Sequence, residues 1–131
     1  MKFKIKSFPP GNQATNIFHI TRGADNDRFP ALFLFRSNNG IGFRSNGVQS
    51  TNRKNVVLDR TLIVYMRQRE EGSNLVFKAF VNGQEFHSDN VDNGNSVGMK
   101  STTFLLLSDP FYEPADVEID YFFLDKKFGK F

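Results

Sequence analysis

The sequence predicts an all-β protein: an antiparallel β-sandwich of about ten short strands with almost no helix. Three observations carry that expectation. Residues 61–87 (TLIVYMRQREEGSNLVFKAFVNGQEFH) read as three consecutive antiparallel strands. Four Asn-Gly dipeptides, at 39–40, 46–47, 82–83 and 93–94, punctuate the chain. Asn-Gly readily supplies the positive φ angles that a two-residue hairpin turn requires. No stretch sustains an apolar period of 3.6 residues.

Taken in order, Lys2-Phe3-Lys4-Ile5-Lys6 alternates charged and apolar side chains, giving a first strand one wet and one dry face. Pro9-Pro10-Gly11-Asn12 ends it. NIFHITR at 16–22 is a second strand, followed by the polar turn 23–28. ALFLFR at 31–36 is almost wholly apolar, which suits a central strand buried on both faces. Pro30 is tolerated just before it. Asn39-Gly40 and Asn46-Gly47 bracket a short strand at 41–45, and Val56-Val57-Leu58 leads into the three-stranded meander. Within the meander, strands at 61–69 and 75–81 flank a turn at 70–74 (EEGSN), and Asn82-Gly83 forms a type I′ turn into 84–87. DNVDNGNSVGMK at 89–100 reads as a loop, TTFLLLS at 102–108 as another buried strand, and VEIDYFFL at 117–124 as the last. A meander cannot bury its apolar face alone, so the other strands must cover it, and a jelly roll is the expected arrangement.

A chain of 131 residues forms one domain, 1–131, with room for a substantial core. Its 16 Phe suit the interior of two packed layers, because Phe is large and has no polar atom to satisfy. The absence of Cys excludes disulfides, thiolate catalysis and cysteine-ligated metal centres. No apolar run is long enough to span a membrane and the first residues lack a signal-peptide core, so no membrane insertion is expected. None of the 13 Asn lies in an Asn-x-Ser/Thr sequon. The net charge of +3 is mild and spread along the chain, which fits an ordinary solvated surface and not a nucleic-acid partner.

The densest chemical constellation is Asp116-Val117-Glu118-Ile119-Asp120. On a strand these carboxylates share one face at intervals of roughly 7 Å. The alternation is similar to the catalytic strand of laminarinase-type glycoside hydrolases, in which one carboxylate is nucleophile and another acid/base. A structural reading competes. Antiparallel pairing of the terminal strands would set Lys2, Lys4 and Lys6 opposite these carboxylates and Phe3 and Ile5 beside Val117 and Ile119.

Other candidates are sparser. His19 and His87 both fall in strands, where packed or hydrogen-bonded roles are usual. No Gly-x-Ser-x-Gly elbow, P-loop or dinucleotide fingerprint is present. Asp25-Asn26-Asp27 and 89–95 (DNVDNGN) offer oxygen ligands to Ca²⁺ without matching an EF-hand, and polar turns explain them without a metal. Arg36, Asn38, Asn39, Arg44, Asn46, Arg53, Arg67 and Arg69 form a basic and amide set suited to hydroxyl or anion ligands. Within that set, Phe35-Arg36-Ser37-Asn38-Asn39-Gly40 is echoed by Phe43-Arg44-Ser45-Asn46-Gly47, either as a repeated ligand-contacting turn or as similar turn chemistry.

NIFHI at 16–20, RFPALF at 28–33, FKAFVNGQE at 77–85, and LSDPFYEPAD at 107–116 before VEIDYFFL together resemble a concanavalin A-like (laminin-G/galectin-like) jelly-roll domain. The Val-Asn-Gly hairpin and the Ser-Asp-Pro-Phe-Tyr loop are similar to laminin-G-like modules of invertebrate extracellular proteins. The resemblance spans nearly the whole chain and implies an extracellular or cell-surface domain, although a cytosolic one is compatible with the missing signal peptide. Galectins hold sugar with a His-x-Asn-x-Arg strand, an Asn and a Trp-Gly-x-Glu segment. Here His19-Ile20-Thr21-Arg22 is one residue short, Asn38 stands for the Asn, and Ile41-Gly42-Phe43-Arg44 lacks both Trp and Glu.

The expected function is a non-enzymatic binding or adhesion module for a glycan or protein ligand, with Arg36, Asn38, Arg44 and Asn46 as ligand-binding residues. No resident cofactor is expected, Ca²⁺ at the acidic loops being the open exception. A small glycosidase using Asp116, Glu118 and Asp120 is the alternative from another class, and homo-oligomeric self-assembly through sheet edges is a third.

Overall fold

A computed structural model describes residues 1–21, 30–45, 48–49, 54–91, 104–106 and 112–123. They contain eleven strands in two antiparallel sheets, and no helix among the described residues. The chain opens with β1 (Lys2–Ile5), then places β2 (Ala14–Thr21), β3 (Ala31–Phe35), β4 (Gly40–Ser45), β5 (Val48–Gln49) and β6 (Lys54–Asn55) in the second sheet. The meander β7 (Thr61–Glu71), β8 (Asn74–Val81) and β9 (Gln84–Val91) returns to the first sheet. Finally β10 (Phe104–Leu106) joins the second sheet and β11 (Val117–Tyr121) the first. The first sheet runs β11-β1-β7-β8-β9 and the second β10-β2-β3-β4-β5, with β6 also on β4.

The two layers share one apolar cluster in a sandwich-like arrangement. Phe3, Ile5, Leu62, Val64, Phe77, Ala79 and Val81 come from the first sheet; Phe18, Ile20, Leu32, Leu34, Ile41 and Phe43 come from the second. Rings bridge the layers: Phe43 lies 5.4 Å from Phe86, and Phe18 meets Phe122 edge-on at 5.4 Å. Each fully buried Phe or aliphatic side chain contributes about 1.5–3 kcal/mol by leaving water. Farther along the interior the chemistry turns polar, and the buried Ser45 hydroxyl donates across the layers to Gln68 Oε1 at 2.9 Å.

Alternation works as expected in β1, where Phe3 and Ile5 are buried and Lys2 is exposed. It fails in β2, which is buried from Thr15 to Thr21. A register shift between Asn16 and Phe18 lets Thr15, Phe18 and Ile20 share the inner side with Leu34 and Leu32. Asn16, His19 and Thr21 therefore lie on the outer side. That outer face is closed as well: Ala31 and Phe33 are buried, and Tyr112 meets Phe33 edge-on at 5.3 Å. A central strand buried on both sides was the expectation for 31–36, and β3 fulfils it.

Two boundaries of the meander differ from the sequence expectation. The turn placed at 70–74 shrinks to Gly72-Ser73, because Glu70 and Glu71 keep pairing with Leu75 and Asn74. Gly72 adopts a φ of +65°, which lets the hairpin close without a longer loop. The strand expected at 84–87 continues to Val91, since Asp89 and Asn90 stay opposite Phe77 and Val76 despite their polarity. Val56-Val57-Leu58 is a connection between sheets, where Val56 N–H donates to Asn39 O and Asp59 N–H to Ile5 O, both at 2.9 Å.

Candidate functional site

The carboxylate strand is occupied by its neighbours. β11 pairs antiparallel with β1, setting Lys4 opposite Glu118, Phe3 opposite Ile119 and Ile5 opposite Val117. Lys2 Nζ lies 3.2 Å from Asp120, and Lys4 Nζ lies 3.4 Å from Glu118. Only Lys6 departs from the expected ladder. It ion-pairs with Asp59 and reaches Glu118 at 3.8 Å, while Asp116 accepts a 2.7 Å bond from the Ser7 hydroxyl. The cause is the connection before β7, whose Asp59 is tied to the end of β1 through Ile5 O. Asp59 raises the Lys6 pKa above its ordinary value, chiefly by accepting its hydrogen bond.

Pairs this exposed contribute little individually, yet together they pin the register of the terminal strands. Reversing Lys4 to Glu should therefore cost only about 0.5–1 kcal/mol, and adding Glu118→Lys should restore most of it. A double-mutant cycle in urea melts measures this; a cycle without coupling would show that the side chains do not meet in solution.

The proposed ligand donors divide between two places. Arg36 and Asn38 are exposed in the four-residue turn 36–39, just past the Phe35–Gly40 pair. Asn39 closes the turn with a φ of +47°, a conformation Asn tolerates. The turn is fastened on both sides: Arg36 N–H donates to Gln13 O at 3.4 Å, and Asn39 O accepts from Val56 N–H at 2.9 Å. The Arg36 guanidinium lies over the Phe8 ring, 5.8 Å from its centroid. Arg44 is opposite Ala31, four residues along β4 from Gly40, a run of roughly 13 Å. It is half-buried on the outer face of the second sheet. Asn46 and Arg53 lie outside the described residues.

The two histidines occupy different layers. His19 is buried on the outer side of β2, whereas His87 sits opposite Ala79 on β9 with its ring 6.1 Å from Phe77. Burial removes His19 from the surface where a galectin-like histidine would meet sugar. Of the candidate Ca²⁺ loops, Asp25-Asn26-Asp27 lies outside the described residues; Asp89, Asn90 and Val91 belong to β9, and the remainder of 92–95 is also outside. Among the described residues, no three His, Cys, Asp or Glu side chains group as a metal would require. No described helix is long and apolar enough to cross a membrane.

Sequence reasoning named Arg67 and Arg69 but missed the aromatic surface that they adjoin on the outer face of the first sheet. Ile63, Tyr65, Tyr121 and Phe123 are exposed there by 54%, 56%, 57% and 63%. Register makes them neighbours. Lys2 is opposite both Tyr121 and Ile63, and Tyr65 is opposite Phe80 with ring centroids 5.7 Å apart. Tyr121 and Phe123 hold parallel rings at 6.5 Å. Farther along the same face, Glu71 is held by Arg69 at 2.9 Å and by Arg67 and Lys78 at 3.3 Å each. Arg69, foremost through its hydrogen bond, and Lys78 hold the Glu71 carboxyl below its usual range against an opposing desolvation effect. The signal lay in the alternation of 61–69. Residues 62, 64 and 66 form one apolar series, and 63, 65, 67 and 69 a second series that begins apolar and ends basic.

The chain matches no protein-family profile, no curated protein and no solved structure.

Proposed function

We propose that this chain is a non-enzymatic binding module of the concanavalin A-like jelly-roll kind, whose ligand is a carbohydrate engaged first by Arg36 and Asn38. The observation that carries the reading is the fastened β3–β4 turn, which presents an exposed guanidinium and an exposed amide on a backbone that is already ordered. Arg and Asn donate well to sugar hydroxyl oxygens. Arg44, half-buried four residues along β4 from Gly40, and Asn46 two positions later would serve only as secondary contacts at the far end of that strand. The jelly-roll assignment is supported by the chain path: the terminal strands pair, and the chain changes layer after β1, β6, β9 and β10.

The test is a broad glycan array run with and without Ca²⁺. Selective binding should weaken roughly 10–100-fold in Arg36→Ala, the expected loss for a hydrogen bond to a charged donor. Binding unaffected by Arg36→Ala and Asn38→Ala would remove the turn from the ligand site. No selectivity for any glycan would overturn the carbohydrate reading and leave a protein ligand.

A further inference from the structure

The outer face of the first sheet is electrically divided, and the division indicates a ligand. At the β1–β11 end, Lys2 is balanced by Asp120 and Lys4 by Glu118, beside the exposed rings of Tyr121 and Phe123. At the Gly72 end of β7 and β8, Arg67, Arg69 and Lys78 surround the carboxylate of Glu71. Among the described side chains, three cations against one anion leave that cluster at +2. Between the ends stand Ile63, Tyr65 and Phe80, and the Arg67 guanidinium lies 5.8 Å from the Phe80 ring centroid. Aromatic surface thus runs directly into positive charge.

We propose that this face binds an anionic polysaccharide, a sugar chain carrying carboxylate or sulfate groups. Its rings lie on Tyr65, Phe80 and Tyr121, and its acidic groups meet Arg67, Arg69 and Lys78. Charge complementarity requires an anion at the basic end. The balanced end requires a ligand with uncharged stretches, because Glu118, Asp120 and Glu85 are also exposed on this face. A nucleic acid carries a phosphate at every nucleotide and would drive some of them against those carboxylates. A peptide anchor seeks a fully desolvated pocket, whereas these rings stand on an open sheet face and present flat apolar surface to a ring-shaped ligand. This surface belongs to the layer opposite the β3–β4 turn, so it stands independently of the carbohydrate reading of that turn.

Tyrosine emission provides the readout, since Tyr65 and Tyr121 are two of the three tyrosines and the chain has no Trp. The probes are an oligogalacturonate, a sulfated galactan, a neutral galactan and an oligothymidylate. A saturable emission change with either acidic glycan, weakening as salt rises, is the expected result, and the glycan that gives it separates carboxylate from sulfate recognition. Arg67→Gln with Arg69→Gln should weaken it about tenfold or more, as should Tyr65→Ala, which leaves the cations in place. Equal binding of the neutral galactan, binding insensitive to salt and to both variants, or preference for the oligothymidylate would each overturn the proposal. So would an emission change that follows protein concentration alone, because the face would then be an interface between two copies of the chain.

Discussion

Replacing Phe43 with alanine is expected to lower the unfolding free energy by about 3–5 kcal/mol, the cost of emptying an aromatic site in a packed core. Phe43 is buried in the second sheet, and its ring meets Phe86 of the first at 5.4 Å. The cavity therefore opens between layers, where neither sheet can collapse alone to fill it. A loss of that size is a large fraction of the 5–15 kcal/mol that holds an ordinary domain together. Phe123→Ala removes the same side chain from the surface and should change stability by no more than about 0.5 kcal/mol. Urea melts of the two variants make the comparison. Equal, small effects would mean that the sheets do not share a core.

Gly83→Val is the second largest effect, an expected loss of about 1–2 kcal/mol from forcing a branched residue into left-handed backbone. Asn82 and Gly83 have φ angles of +51° and +81°, both positive as a type I′ turn requires. A Cβ at Gly83 would meet nothing within 4 Å, so the penalty is conformational and not a clash. Gly83→Asn should accordingly be tolerated far better, since Asn enters this region readily. Thermal melts decide it: equal losses for Val and Asn would refute the turn type. Asn82 adds a second function, because its Oδ1 accepts Ile63 N–H at 2.9 Å and its own N–H donates to Ile63 O at 2.8 Å. The turn is thereby stitched to the start of β7, at the edge of the exposed aromatic surface.

Strand positions were legible wherever local chemistry decided them. The alternation of Lys2 to Lys6 with 116–120 encodes the terminal pairing, and Asn82-Gly83 encodes its own turn. Legibility ended where tertiary context took over. Asp89 and Asn90 are polar enough for a loop but remain in β9, since Phe77 and Val76 offer them backbone partners. Lys6 was assigned to the carboxylate ladder, and Asp59 captured it through a connection whose path no local pattern specifies. The proposed donors were harder still. Arg36 and Arg44 occupy matching places in a sequence echo, yet one ends in an exposed turn and the other half-buried on a closed face. That difference depends on what covers the outer side of β3, which one strand's sequence does not contain. The aromatic part of the first sheet's outer face is hidden for a related reason: Tyr65 and Tyr121 come to one face only because β1 joins their strands.

Whether Glu118 and Asp120 serve structure and not hydrolysis is tested most directly by counting the reducing ends released from a mixed neutral and acidic oligosaccharide library. Wild-type protein and Glu118→Gln would be incubated side by side against a buffer control. Carboxylates held by Lys2 and Lys4 predict no release above the control from either protein, with only a slightly lower unfolding midpoint in the variant. Release by the wild type that Glu118→Gln abolishes would contradict this and return the strand to acid–base chemistry.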